Sequence, residues 1–260
     1  MKIRCVFMLA LFCVTALLLC AGETEGRAAG VADVFYDGEE AEPVSLTAQQ
    51  QYEANIFLSN FSEQGFCEYG AESFDAAEAS DAQLFAFAHL WAKINRRAAI
   101  GYSGSYETMS LDAVNSIVNR YIWREGLLQP AEGTNYSAEL GMGHYDWDRC
   151  WYSGGYFYYP AADGESFNRF TVVEEAERYP DGRCLLRFTV YELDLQRYWD
   201  NNGIPSEYYW LTPFGAAQRA AWGEITPMRM GEALCMPRVQ QDGRQTYALV
   251  RYTIYPLDVD

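Results

Sequence analysis

Half of the 260 residues are hydrophobic and 16% are aromatic, which excludes the aromatic-poor composition of a disordered chain. The 36 acidic and 19 basic residues give a formal net charge of −17 at pH 7. Because phosphate binding needs clustered Lys and Arg, this charge argues against nucleic acid as a partner, and it disfavours anionic lipid surfaces in the same way.

The first twenty residues predict an export signal. Lys2 and Arg4 precede an unbroken apolar run that ends at Cys20, which is the pattern of a secretory signal peptide. The run is shorter than the roughly 20 residues that a membrane-spanning helix needs. We therefore expect residues 1–20 to be a signal peptide and the mature protein to be extracytoplasmic, either secreted or anchored at the cell membrane.

The end of this signal, Leu17-Leu18-Leu19-Cys20-Ala21-Gly22, resembles the lipobox of bacterial lipoproteins, in which the cysteine after the cleavage site is acylated. The resemblance implies that Cys20 is the lipid attachment site and that the protein meets the membrane only through this lipid. The family pattern has a small residue where this chain has Leu19. The alternative is an ordinary signal peptide that is cut after Ala21 or nearer Ala28.

The rest of the chain divides by composition. Residues 21–45 are small and acidic and have no sustained hydrophobic period, which predicts a flexible tether. Residues 46–260 are long enough for a single domain. Within them we predict a helical part over residues 46–125 and a mainly antiparallel sheet over residues 144–260.

Four cysteines follow Cys20 in the sequence, namely Cys67, Cys150, Cys184 and Cys235. In an oxidising compartment they permit two disulfides in three connectivities, and free buried thiols are the alternative.

Three helices are predicted in the helical part. Thr47 with Gln50, and Ser80 with Gln83, have the spacing of capping boxes. The third helix is expected to start after Ser110. Each start is followed by apolar residues at helical spacing, so each helix is expected to bury one face.

Turn signals mark the sheet. Pro180-Asp181-Gly182 predicts one hairpin and Asp242-Gly243 a second, because proline presets a turn and glycine accepts a positive φ. A short helix is predicted between them over residues 212–222. The stretch Gly101-Tyr102-Ser103-Gly104-Ser105 is interpreted as a loop. The predicted fold class is α+β, with the N-terminal helices packed on a C-terminal antiparallel meander of hairpins.

Two resemblances accompany this fold. The segment Asn55-Ile56-Phe57-Leu58-Ser59-Asn60-Phe61-Ser62-Glu63 is similar to one in uncharacterised bacterial exported proteins, which implies an extracytoplasmic protein and carries over no catalytic residue. The order of helices and curved sheet is also similar to cone-shaped α+β domains of the nuclear-transport-factor-like type, which is an analogy of architecture.

A metal site is one candidate for chemistry. On a strand, His144, Asp146 and Asp148 would share one face, and an imidazole with two carboxylates is a plausible ligand set. Alternate residues on a straight strand lie about 7 Å apart, so a shared ion would need a bend or further ligands. The alternative is a half-buried strand whose aromatic residues face the core and whose charged residues face water.

Other positions suggest binding more than catalysis. His89 lies in the second predicted helix and is interpreted as a core histidine in preference to a catalytic base, because no nucleophile is tied to it by a recognised spacing. The aromatic run over residues 151–160 is denser than a core usually needs. Within it, Tyr156 and Tyr158 are predicted to stack on a sugar ring or grip a peptide, with core packing as the alternative.

The sequence thus predicts an exported, lipid-anchored cell-surface protein that acts as a binding or interaction module for an unidentified envelope ligand. No cofactor is predicted. The alternatives are an extracytoplasmic hydrolase that uses carboxylates or a metal around His144 to Asp148, and a structural envelope protein without a small ligand.

Overall fold

Segments with a helical or an alternating hydrophobic pattern form helices and strands in the structure. The structure is a computed structural model, and it describes residues 40–66, 73–145, 148–161, 168–239 and 243–257. The predicted signal peptide, Cys20 and tether residues 21–39 lie outside these described residues. The turn residue Asp242 and the candidate ligand Asp146 also lie outside them.

Each α-helix in the described part of the chain begins after a side chain that accepts a hydrogen bond from a backbone N–H of its first turn. Both predicted capping boxes are present, at Thr47 with Gln50 and at Ser80 with Gln83. In the described part of the chain the helices are α1 (Ala48–Ser62), α2 (Asp81–Asn95), α3 (Leu111–Tyr121), α4 (Leu195–Asn201) and α5 (Pro213–Ala221), with short 3-10 helices at Arg97–Ala99 and Ser206–Trp210. None of these helices is long and apolar enough to cross a membrane.

The strands form two antiparallel sheets among the described residues. The first has the order β1-β7-β8-β9-β10-β2 and the second the order β3-β4-β6-β5. The strands are β1 (Glu42–Pro43), β2 (Ser73–Asp75), β3 (Gly101–Ser103), β4 (Tyr106–Ser110), β5 (Trp151–Ser153), β6 (Tyr156–Pro160), β7 (Arg169–Arg178), β8 (Cys184–Leu193), β9 (Ile225–Val239) and β10 (Gln245–Pro256). The α+β class and the C-terminal sheet of hairpins are confirmed.

The second sheet corrects one prediction. Residues 101–103 of the predicted loop are the strand β3, which pairs with β4 through a tight turn at Gly104, where φ is +61°. The strands β3 and β4 lie between α2 and α3 in the chain. They join the second sheet because β4 pairs with β6, which is distant in sequence. A three-residue strand stabilised by such long-range pairing leaves little local pattern to recognise.

The helices α1 to α3 and the second sheet enclose the main core against one face of the first sheet. On the opposite face, α4, the second 3-10 helix and α5 cover a smaller apolar cluster that includes Phe170, Tyr191 and Ala216. Pairing of β1 with β7 reaches back to Glu42, inside the segment predicted as a tether.

Close packing at the centre of the first sheet depends on Gly231. Phe188 lies directly opposite it on β8, and a Cβ atom at Gly231 would come within 2.4 Å of the Phe188 ring and 2.7 Å of the Thr253 carbonyl oxygen. Such distances are far inside van der Waals contact, so only glycine fits here.

Candidate functional site

The outer face of the second sheet carries a group of aromatic side chains, which we call the tyrosine face: Tyr106, Trp151, Tyr156 and Tyr158. Trp151 and Thr108 both pair directly with Tyr158, and directly opposed residues point to the same side of a sheet. Tyr156 and Tyr106 alternate with buried neighbours on their own strands and therefore join this face. The predicted pair Tyr156 and Tyr158 thus lies on one side of one strand.

Three rings of the tyrosine face contact one another: Tyr106, Trp151 and Tyr158. Trp151 and Tyr158 stack with centroids 4.6 Å apart and planes inclined by 2°. Tyr106 meets Trp151 edge to face at 4.6 Å. Tyr156 is the most open member, with 47% of its surface exposed. Rings held by cross-strand stacking on a sheet lose little side-chain entropy when a ligand covers them.

The Gly154-Gly155 turn joins the two strands that carry Trp151, Tyr156 and Tyr158. Both glycines have positive φ, 59° and 84°, as the two-residue turns of β-hairpins require. This turn is a sequence signal that predicts the hairpin and thereby places Trp151 beside Tyr158.

Polar groups border the rings. Glu132 accepts a hydrogen bond of 2.6 Å from the Ser153 hydroxyl and bonds from the Gly154 N–H. These bonds lower the pKa of Glu132, so the carboxylate is charged at neutral pH. A carboxylate has more acceptor positions than these donors use. Thr108 adds a hydroxyl directly opposite Tyr158 on the neighbouring strand.

A second set of exposed rings, the tryptophan surface, lies on the excursion between β8 and β9. It consists of Trp199, Trp210, Phe214 and Trp222, and Phe214 is 71% exposed. Trp210 also stacks on Tyr52 of α1 at 4.1 Å. Sequence reasoning missed Trp199, Phe214 and Trp222, because large aromatic residues in short helices ordinarily indicate core.

His89 is fully buried between α2 and the second sheet, which agrees with its interpretation as a core histidine. Its Nε2 lies 2.8 Å from Glu107 Oε2, and Lys93 Nζ lies 3.2 Å from the same oxygen. Burial lowers the pKa of His89 and outweighs the opposing effects of the hydrogen bond to Glu107 and of the Glu107 charge. The imidazole is therefore neutral at pH 7 and donates its Nε2 hydrogen to the carboxylate.

Glu63 occupies a different environment at the end of α1. It is partly buried and accepts a hydrogen bond of 2.7 Å from the Tyr209 hydroxyl. Burial raises the pKa of Glu63 to about 7, against the opposing effect of that hydrogen bond. Sequence reasoning missed both Glu63 and Glu107, since their partners are distant in sequence or on another element.

The candidate metal ligands are only partly described. His144 is exposed in a bend, so it is not on the strand that would align it with Asp148, and Asp148 accepts a hydrogen bond from the Gly143 N–H. Asp146 lies outside the described residues. Among those that are described, no three His, Cys, Asp or Glu side chains are grouped to hold a metal ion.

Clefts occur elsewhere on the molecule. One of about 470 Å³ lies between β1 and β7 and includes Gln51 and Glu174, and one of about 280 Å³ is lined by residues that include Phe74 and Leu90. Neither is lined by His144 or Asp148.

Comparisons with known proteins give no relative: no family model, no curated protein and no solved structure matches this chain.

Proposed function

We propose that this chain is an exported cell-surface protein, anchored through a lipid on Cys20, that binds neutral glycans on its tyrosine face. The observation that carries the proposal is the group of outward-facing rings on the second sheet, in which Trp151 stacks on Tyr158 and meets Tyr106 edge to face, with hydroxyl and carboxylate groups at its border. The export part depends on the N-terminal sequence pattern alone.

The chemistry of the face favours a sugar. The apolar faces of sugar rings pack on aromatic rings, while sugar hydroxyl groups need donors and acceptors at the edge. Tyr156 and Tyr158 are separated by one residue, which places their Cα atoms about 7 Å apart along the strand. Glu132 offers acceptor oxygens at Ser153, the residue that pairs with Tyr156, and Thr108 offers a hydroxyl beside Tyr158.

The charge of the chain favours a neutral sugar. A net charge of −17 repels anionic polymers at long range. The residues named on the tyrosine face include no cation that would reverse this effect locally. Polymers of uncharged hexoses or N-acetylated hexosamines fit both the rings and the charge.

The test is binding of the full chain to an array of neutral and anionic glycans, followed by titration against the best ligand. We expect the double variant Tyr156→Ala/Tyr158→Ala to lose at least about 10-fold in affinity, because two stacking contacts are removed. The matched control is Phe214→Ala/Trp222→Ala, which removes two exposed rings from the tryptophan surface and should bind as the wild type does.

Three outcomes would contradict the proposal: no binding to any glycan, a preference for anionic glycans, or equal losses in the two double variants. A loss confined to Phe214→Ala/Trp222→Ala would move the binding site to the tryptophan surface. Glu132→Gln sharpens the test, since it keeps the shape of the border and should weaken binding by about threefold to tenfold through the lost charge-assisted acceptor.

A further inference from the structure

Cys184 and Cys235 lie directly opposite each other on the neighbouring strands β8 and β9. Opposed residues in antiparallel strands have Cα atoms about 4.5–5.5 Å apart, and both side chains point to the same face. A disulfide requires a Cα separation of about 4.4–6.8 Å. The backbone register therefore already meets the main geometric condition for a bond between these two cysteines.

The surroundings of the two thiols agree with this arrangement. Both are free thiols in the structure and are buried, and Cys235 is completely inaccessible to water. Burial raises the pKa of both thiols. The pKa of Cys235 is raised further by the negative charge that Cys184 would carry as a thiolate. The third described cysteine, Cys150, is buried directly before β5 of the other sheet.

We infer that Cys184 and Cys235 form a disulfide across β8 and β9 when the chain folds in an oxidising compartment. This bond does not depend on glycan binding. It also singles out one of the cysteine pairs that the sequence left open. Residues 185–234 then lie within a covalently closed loop that contains the whole excursion with α4 and α5.

The reaction is thiol–disulfide exchange with an oxidised dithiol or a small disulfide such as oxidised glutathione. The thiolate of one cysteine attacks a sulfur of that disulfide, forms a mixed disulfide and releases one thiol. The thiolate of the second cysteine attacks the mixed disulfide, which forms the Cys184–Cys235 bond and releases the second thiol. The two protons lost by the cysteines pass to the two released thiolates, so the cysteines are oxidised and the partner disulfide is reduced.

The burial of both thiols dictates when exchange takes place. A thiol that is inaccessible and has a raised pKa reacts slowly with an external disulfide. Exchange therefore belongs to the period before β8 and β9 are sealed into the core, and the finished bond is a structural one that external thiols do not reach.

The test refolds the full chain in a glutathione redox buffer, blocks remaining thiols with N-ethylmaleimide in denaturant, and maps tryptic peptides by mass spectrometry. Arg183, Arg187, Arg229 and Arg238 release the two cysteines on separate peptides, residues 184–187 and 230–238. We expect these two peptides to be joined and to separate on reduction. The oxidised form should also melt about 10 °C above the form refolded in reductant, because the closed loop restricts the unfolded chain.

Recovery of both peptides as separate N-ethylmaleimide adducts from the oxidised sample would overturn the inference. So would a link from either peptide to one that carries Cys67 or Cys150. Two variants keep the test specific: Cys235→Ala should leave Cys184 open to N-ethylmaleimide after oxidative refolding, whereas Cys150→Ala should retain the link between residues 184–187 and 230–238.

Discussion

Glu63 and Glu107 are both withdrawn from water, yet their pKa values move in opposite directions. Burial raises the pKa of Glu63 to about 7, because its nearest partner is the neutral hydroxyl of Tyr209. Burial acts on Glu107 in the same sense, but the hydrogen bond from His89 and the positive charge of Lys93 outweigh it and bring the pKa below its usual value.

The partners of a buried carboxyl group therefore decide its charge. A phenol donates one hydrogen bond but supplies no formal charge, so Glu63 keeps its proton up to neutral pH. A lysine and an imidazole N–H together stabilise the carboxylate at Glu107. The first site therefore responds to pH near neutrality, whereas the second is a permanent ionic contact between α2 and β4.

The largest expected effect comes from removing the charge at Glu107. Glu107→Gln takes the carboxylate from a buried contact with Lys93, whose side chain is only 10% exposed. We expect the free energy of unfolding to fall by about 3 kcal/mol at pH 7, since breaking a buried ion pair leaves a cation without that counter-charge. Chemical denaturation monitored by circular dichroism measures it.

The matched control is Glu175→Gln on the outer side of the first sheet. Glu175 contacts Arg187 at 3.5 Å but its side chain is 44% exposed, so solvent screens the pair and the loss should stay below about 1 kcal/mol. Equal losses of unfolding free energy in Glu107→Gln and Glu175→Gln would show that burial does not make the Glu107 ion pair stronger than the exposed one.

A smaller, pH-dependent effect is expected at Glu63. The folded chain holds a proton on Glu63 up to about pH 7, whereas the unfolded chain releases it near 4.5. The stability that this proton contributes is therefore lost as pH rises between these values. Glu63→Gln should match the wild type near pH 4 and exceed its stability by about 2 kcal/mol at pH 8. A difference that is the same at all pH values would contradict the raised pKa.

The smallest effect is expected from the Tyr209 hydroxyl. Tyr209→Phe removes the hydrogen bond to the Glu63 carboxylate and should cost about 1 kcal/mol at pH 8. It should also raise the pKa of Glu63 further, because that hydrogen bond favours the charged form. The control Tyr102→Phe changes a side chain that is 68% exposed. NMR titration of the Glu63 side chain in each variant measures the shift, and an unmoved midpoint in Tyr209→Phe would refute it.

Local signals predicted much of the fold. The two capping boxes, the Pro180-Asp181-Gly182 turn and the helix at Pro213 depend on residues within a few positions of each other, and each is found where the sequence places it. The second sheet was missed because β4 pairs with β6 across a long stretch of chain. No local pattern specifies that β4 and β6 meet.

The candidate site likewise has residues that the sequence suggests and contacts that only the fold provides. Tyr156 and Tyr158 follow from a dense aromatic run, and the sequence alone suggested them. The contact of Tyr158 with Trp151 depends on the hairpin turn, and the bonds that hold Glu132 at Ser153 and Gly154 join positions more than 20 residues apart. The charge states of Glu63 and Glu107 depend on partners that only the folded chain brings together, so the sequence predicts neither.

The absence of a side chain at Gly231 has a consequence for the fidelity of folding. The strands β8 and β9 are long, and a slip of two residues would preserve which side chains face the core, so the hydrophobic pattern alone tolerates it. That slip would press the Phe188 ring against Ala233 or Arg229, where a Cβ atom occupies the space that Gly231 leaves open. Gly231 thus leaves space for the Phe188 ring in the native register only. It disfavours the registers shifted by two residues, which would keep the same side chains facing the core.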